Sequence, residues 1–516
     1  MTIVQLSVSQ ILASFVMLTA GTAYAFSLYG PQLSTLFQLS QSETAFIASF
    51  VLIVVDRYRC GNAGFYFSGP ISGTLVDRFP NFTYLIFLVG GLGLFSGYQL
   101  VSLTVSGVLP RPHYLVLALY FFIVGLGSSA NYHCSLATDY RNWPAPYRSI
   151  AVGISVGFFG LSAFFFATIG SIFFVHNDIL YVEQFLSFLG IFCLVISLLS
   201  AVLLRPIPPD TEIVQPPVLQ VEQELEHAAA IVETDTNSIT SNGYVAILKP
   251  LEPQLEIAMD SVSLQNTENE SENNESENGK EQGENCPEHP PPSATNNLED
   301  DVPCFPSIKS FLLAYNMFAI IGVGLMYINN VGIILIALLP ADMDSRHPNV
   351  QSMQKSHVQL LSILSFVSRV VVGILSDECA SYIGLPRTFW PITGALFMII
   401  GCGMMLYIKN SDVLYVVTGI VGWAYGTIWS SIPILVGEYF GKTNFARNWG
   451  WMCVVPAIGG YVFAAIFGSV YEQSGVKLCK GQNCYMASFI AATIVSFVAL
   501  IGNAYLYYKR YRETRV

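Results

Sequence analysis

Arg369 stands eight residues before Asp377, in a run that carries no other charge between Val358 and Ser376. On a helix rising 1.5 Å per residue the guanidinium lies ~12 Å deeper than the acid. A cation in such an apolar run costs several kcal/mol unless something negative meets it. Two readings stay open: it holds an anionic substrate, or it is a structural cation paired with backbone or a carboxylate. His133, in Ser128-Ser-Ala-Asn-Tyr-His133, carries the side chain that titrates nearest neutral pH. It reads as a proton relay or as a helix–helix hydrogen bond. Asn329 and Asn330 are amides inside another apolar run, and Trp423, with Tyr425 and Trp429, either lines a cavity or packs. These five, Arg369, Asn329, Asn330, His133 and Trp423, are the candidate substrate contacts.

Other chemistry is missing from the pattern. There is no P-loop, no metal-ligand cluster and no nucleophile triad, so neither an enzyme, an ATP-driven pump, a metal site nor a bound cofactor is expected. Most of the ten cysteines sit in apolar runs and read as packing. Cys479-Lys-Gly-Gln-Asn-Cys484 differs: it is a short polar loop between two apolar runs. A disulfide fits there if the loop faces an oxidising compartment.

The elements that must position these residues follow from hydropathy. Of 516 residues 53% are hydrophobic and 11% charged, and mean hydropathy is +0.52. Too few polar groups remain to coat a water-facing surface. Apolar runs of membrane-spanning length fall at 7–29, 44–73, 83–104, 114–136, 149–174 and 184–204, then at 310–335, 358–375, 388–408, 413–436, 448–470 and 485–508. The pattern predicts an all-α membrane protein with twelve transmembrane helices. Its parts are a six-helix bundle over 1–204, a central loop over 205–308, a second bundle over 309–508 and a basic tail over 509–516. The first run ends Thr22-Ala23-Tyr24-Ala25, which resembles a cleavage site, but no Lys or Arg precedes it, so a retained helix is expected.

The net charge of −12 is concentrated in one place. Residues 205–309 hold 21 of the 35 acidic residues and 4 of the 23 basic ones, so the rest of the chain is net basic. Nucleic acid is not an expected partner; lipid, a small-molecule solute and a coupling proton are, with the chain a monomer. The central segment is rich in Glu, Asn, Ser and Pro and is expected to stay disordered. With both termini in the cytoplasm, twelve basic residues fall on inner segments and six on outer loops. That orientation leaves the Asn269 and Asn274 sequons unglycosylated and puts the cysteine loop outside.

The second run contains an anomaly. Phe50 to Cys60 includes Asp56, Arg57 and Arg59, and removing it leaves a charge-free helix of about 19 residues. The segment reads as an insertion, either retained intron sequence or a genuine charged bulge.

The halves repeat. Gly73-Thr-Leu-Val-Asp77-Arg78 closes the second run and Gly373-Ile-Leu-Ser-Asp377 closes the eighth. Arg148 is followed by Gly157 and Gly160, and Arg447 by Pro456 and Gly459 at the same spacings. Offsets of 300 and 299 residues imply parallel six-helix repeats. Gly153, Gly157 and Gly160 form a stripe for close helix approach.

Gly-x-Leu-x-Asp-Arg after the second helix resembles the signature loop of the major facilitator superfamily, although Phe79-Pro-Asn replaces its usual basic continuation. The resemblance implies that Asp77 caps a neighbouring helix and pairs with Arg148 or Arg141, with Asp377 and Arg447 as counterparts. Gly73, Asp77, Arg78, Arg148, Gly373, Asp377 and Arg447 then form a conformational gate. Gly21-Thr-Ala-Tyr-Ala-Phe-Ser-Leu-Tyr-Gly-Pro31, Tyr327-Ile-Asn-Asn-Val-Gly332 and Asn444-Phe-Ala-Arg-Asn-Trp-Gly450 resemble nodulin-like transporters and fungal monocarboxylate-transporter homologues. That branch implies a secondary transporter of a small organic solute, such as a monocarboxylate or other organic anion. Its membrane would be the vacuolar one, with the plasma membrane as the alternative. Arg369-x-x-x-Gly373 resembles the eighth-helix arginine that engages carboxylate in monocarboxylate transporters. Ser365 stands where those proteins carry a proton-accepting aspartate, and the first helix lacks their lysine. A second expectation is a transporter-like sensor that signals through the acidic loop.

Overall fold

A computed structural model describes residues 3–38, 63–176, 179–205, 307–339, 348–473 and 479–513. The central loop, its sequons and the Phe50–Cys60 segment lie outside these residues.

Helices account for nearly all of the described chain, as hydrocarbon requires: no water is there to satisfy an exposed peptide group. The first half comprises α1 (Ile3–Ala20), α2 (Phe26–Phe37), α3 (Ala63–Arg78), α4 (Thr83–Val105), α5 (Tyr114–Asn142), α6 (Arg148–Phe173) and α7 (Val182–Leu203). The second comprises α8 (Ile308–Asn316), α9 (Gly322–Leu338), α10 (Pro348–Tyr382), α11 (Trp390–Met405), α12 (Ser411–Phe440), α13 (Phe445–Gln473) and α14 (Met486–Glu513). Among the described residues eleven helices are long and apolar enough to cross a membrane. The described part of the second span is α3, 16 residues, or ~24 Å.

Two spans change pitch. α1 and α2 join through a 3₁₀ segment, Gly21–Ala25. A side chain at Gly21 would meet the Phe159 carbonyl 2.6 Å away, and the Ser162 hydroxyl donates to the Gly21 carbonyl at 2.9 Å. The tight turn thus seats the first span on α6. α8 and α9 join through a π segment, Met317–Ile321, where Gly322 and Gly459 of α13 lie backbone to backbone. A two-residue hairpin, β1 (Val175–His176) with β2 (Ile179–Leu180), connects α6 to α7; the hydropathy pattern gave no sign of it.

Within the first half α4 packs on α5 and α7, and α3 on α5; within the second, α12 packs on α10 and α11. Between halves, α3 runs along α13 and α6 along α10. The second span of each half therefore embraces the fifth span of the other. The ends that carry Asp77 and Asp377 lie on the face of the chain termini. There Asn142 of α5 donates to Ser9 of α1 at 3.5 Å, and Phe389 meets Tyr507 of α14 at 6.1 Å.

Candidate functional site

The glycine stripe of α6 decides where Arg369 goes. A methyl at Gly153 would fall 2.6 Å from the Arg369 carbonyl, and one at Gly157 would fall 3.0 Å from the Phe366 ring. At Gly160 it would strike the guanidinium itself. α10 can therefore lie in the α6 groove with its arginine between the halves, 2% exposed. The Arg369 backbone carbonyl accepts from Ser430 at 3.0 Å, which ties α10 to α12.

The guanidinium has little to hold it. One terminal nitrogen donates to the Val156 carbonyl at 2.5 Å, and Nε has no partner. The ring centroids of Tyr425 and Trp429 are each 5.9 Å away, within cation–π range. Among the described residues no carboxylate forms an ion pair with it. The electrostatic neighbours are phenols: Tyr425, Tyr132, Tyr24 and Tyr66. The Tyr24 and Tyr66 hydroxyls are 3.3 Å apart, and the Trp429 and Trp449 rings meet at 6.0 Å.

The Trp449 and Trp429 indole N–H groups face the Tyr132 and Tyr425 hydroxyls, while Nε2 of His133 and Oγ of Ser365 are buried without a partner. Buried polar atoms are nearly always paired, and exceptions mark a place for water, ion or ligand.

The sequence-predicted contacts divide. His133 belongs to this layer: its Nδ1 contacts the Ser129 carbonyl at 2.8 Å, and its ring lies against the crossing of Gly69 and Gly450. Trp423 turns to Phe397 of α11, 6.3 Å ring to ring, away from the arginine. Asn329 is exposed, and Asn330 donates back to the Met326 carbonyl of its own helix at 2.8 Å. Tyr24, Tyr66, Tyr132 and Trp449 were not singled out from sequence. They are ordinary aromatics in apolar runs, and only the packing of four helices shows that they share a site.

At the termini face the two signature acids form two clasps. The Asp77 carboxylate accepts from the backbone nitrogens of Ala446 at 3.2 Å and Arg447 at 2.6 Å, capping the start of α13. It also pairs with Arg141. Asp377 accepts from the Ile150 nitrogen at 2.9 Å, in the first turn of α6, and pairs with Arg387 at 2.8 Å. Arg387 also reaches Glu438 at 2.5 Å and the Ala145 carbonyl at 3.0 Å. A carboxylate suits both places, because helix N-termini present free N–H groups and a positive dipole end. Gly73 and Gly373 make the approach possible. A methyl on Gly373 would fall 2.6 Å from the Ser149 carbonyl, and one on Gly73 would strike the Ala446 carbonyl.

Of the two alternatives for the cationic partner of Asp77, Arg141 is the one that pairs, while Arg148 and Arg447 need correction. Arg148 does not pair with Asp77: it stacks over Tyr140 at 4.7 Å and donates to the Trp143 carbonyl at 3.3 Å. Arg447 does not pair with Asp377; its backbone nitrogen caps Asp77 instead. Because the fifth span of each half packs on the second span of the other, each of these arginines starts a helix at the opposite clasp. Arg141 and Arg387 take the ion-pair roles, and Arg78 is exposed.

On the far face Cys479 and Cys484 are joined by a disulfide. The closed loop caps the end of α9. The Gly481 nitrogen donates to the Ala337 carbonyl at 2.8 Å, and the Lys480 ammonium to Ile336 and Leu339 carbonyls at 2.7 and 3.1 Å. Cations are favoured at helix C-termini.

Two bundles meeting along crossed second and fifth spans, with a central charged site and acid-capped clasps, define the architecture of a major facilitator transporter. Solved structures share it. The proton:xylose symporter XylE bound to 6-bromo-6-deoxy-D-glucose matches with a TM-score of 0.58 at 13% identity, over 96% of this chain and 94% of that one. FucP in the outward conformation matches with a TM-score of 0.54 at 13% identity, over 96% and 98%. A family model described as Nodulin-like matches residues 8–229, and one described as NFD4, C-terminal domain, matches 306–514. The probable transporter MCH1 of Gibberella zeae is 24% identical over 95% of this chain and 87% of its own. The probable transporter mch1 of Emericella nidulans is 24% identical over 94% and 83%. The two halves thus match the Nodulin-like and NFD4 C-terminal family models, the relatives are probable transporters of the MCH1 group, and the fold is that of the major facilitator structures.

Proposed function

We propose that the chain is a secondary transporter that moves a small organic anion by alternating access, with Arg369 as the anion anchor. One observation carries the reading: a wholly buried guanidinium between the halves, with an unpartnered Nε and no carboxylate in ion-pair contact. Breaking a buried ion pair by removing one partner costs about 3–5 kcal/mol, because an uncompensated charge is left behind. A carboxylate beside the guanidinium removes that penalty, so the site selects for an anion. The Tyr132 and Tyr425 hydroxyls beside the guanidinium are the groups that meet its remaining oxygens.

The clasps hold one face shut while the anion exchanges at the other. That face is taken as cytoplasmic, in keeping with the basic residues gathered there and with a disulfide loop opposite. Branch resemblance favours the vacuolar membrane, which a fluorescent fusion imaged against a vacuolar marker would check. Proton coupling is part of the proposal, as in the proton:xylose symporter XylE, which shares the fold.

The test is uptake of radiolabelled lactate, benzoate and malate into proteoliposomes. At least one should be transported by the wild type and not by Arg369→Ala, with partial rescue by Arg369→Lys. Equal uptake by wild type and Arg369→Ala removes the arginine from the substrate site.

A further inference from the structure

One buried acid belongs neither to the clasps nor to the Arg369 site. Asp139 lies on α5, three residues before the helix ends, and is 0% exposed. Its Oδ2 accepts from the Ser155 hydroxyl of α6. Ser155 in turn accepts from Nε2 of Gln10 on α1 at 2.8 Å, and the same nitrogen donates to the Ala151 carbonyl at 3.1 Å. Asp139 Oδ1 has no partner, nor has Gln10 Oε1. Three helices thus build one small polar pocket around a carboxyl group.

Charged groups lie on the surrounding elements, among them Arg205, whose carbonyl accepts from Asn142 at 3.1 Å. α1 carries no ionisable residue among those described, and α6 carries only Arg148, held by the Tyr140 ring and the Trp143 carbonyl. On α5 itself Arg141 is taken by Asp77, and His133 lies six residues deeper. α3 contributes Asp77 and the exposed Arg78, and α13 contributes Arg447, whose backbone nitrogen joins the first clasp. Among the described residues no cation forms an ion pair with Asp139. A carboxylate with one hydrogen bond and no cation is expensive to bury, and the group neutralises instead. The closed arrangement therefore contains the protonated acid.

Opening changes this. Tyr140, the next residue, is stacked on Phe445 of α13 at 4.1 Å and wedged against Gly437 of α12. Both contacts lie in the other half, so parting the halves frees the end of α5 next to the pocket.

We propose that Asp139 is the proton-binding residue of the transport cycle, and that its proton holds the clasped face shut. This deepens the transporter reading above and rests on it. The step is a proton transfer alone: hydronium from the open face protonates the carboxylate, and the acid later returns the proton to water. Since the closed state binds the proton and the open state releases it, rising pH favours opening. The proton site thus stands apart from Ser365, near which the monocarboxylate pattern would put it.

The experiment needs no substrate, so its failure is distinct from failure of the transport reading. Infrared spectra of purified protein are compared for wild type, Asp139→Asn and Ser155→Ala. The wild type should show a protonated-carboxyl band at neutral pH that Asp139→Asn lacks and that Ser155→Ala shifts, since it removes the donor. The same band in wild type and Asp139→Asn overturns the assignment. In parallel, alkylation of Cys453, a wholly buried α13 thiol, is read by mass spectrometry of its peptide. The ratio of wild-type to Asp139→Asn rates should rise by about tenfold from about pH 6 to about pH 9, the span over which a buried carboxyl releases its proton, and Asp139→Glu should restore the rise. A ratio independent of pH shows a merely structural acid and overturns the coupling.

Discussion

Replacing Asp77 by Asn keeps the size of the side chain and removes its charge. In the closed structure that carboxylate accepts two backbone N–H bonds from the first turn of α13 and pairs with Arg141. An asparagine oxygen retains one acceptor and no ion pair. Hydrogen bonds to charged groups contribute about 1.5–3 kcal/mol, and a charge at a helix N-terminus contributes up to about 2 kcal/mol in partly buried geometry. These overlap, since the same N–H groups supply both. Arg141 is partly exposed and regains water when unpaired. A net loss of about 2–3 kcal/mol follows, and at 1.4 kcal/mol per decade the ratio of open to closed protein rises about 30- to 150-fold. Cys453 is buried while the halves are closed. Its alkylation by a membrane-impermeant maleimide, applied from the clasped face and read by mass spectrometry, reports that ratio. Asp77→Asn should raise the rate by about this factor, with Cys453→Ser confirming the signal. A change under about threefold would refute the clasp argument, because it would put the contact in the range of an exposed ion pair.

The other predictions follow from the same contacts. Gly73→Ala and Gly373→Ala should each open the clasped face, since the new methyl meets the Ala446 or Ser149 carbonyl. Overpacking of this kind costs about 1–3 kcal/mol, measurable as faster Cys453 alkylation. Cys479→Ser should lower the thermal midpoint of the purified protein and abolish its sensitivity to dithiothreitol. Closing so short a loop constrains the unfolded chain by about 2 kcal/mol on the chain-entropy account, and an unchanged midpoint would show that the cap on α9 does not need the bond.

What could be read from the residues divides on physical grounds. The spans were legible because a lipid core demands long uninterrupted apolar helices, and described helices such as Arg148–Phe173 fall within a residue of the hydropathy runs. Gly73 and Asp77, with Gly373 and Asp377, were legible because a close backbone approach and a helix cap need those residue types. Of their cationic partners Arg141 was, as one of two alternatives for Asp77, and Arg387 was not. The repeat relates Arg148 to Arg447 by sequence, but the halves clasp crosswise, so each arginine starts the helix at the other clasp. Trp423 was chosen over Tyr425 and Trp429 because apolar periodicity in a helix buried almost all round does not mark the face toward a cavity. Asp139 went unnoticed because the apolar run stopped at 136, whereas α5 continues to Asn142 and buries the acid.

The central claim is that Arg369 holds an anion. Isothermal titration of purified protein with lactate, benzoate and malate, each beside its uncharged amide, tests it most directly. The account predicts that the wild type binds at least one carboxylate and none of the amides, and that Arg369→Ala weakens the carboxylate at least about tenfold, a loss of about 1.4 kcal/mol. Equal binding by wild type and Arg369→Ala, or equal binding of acid and amide, would contradict it.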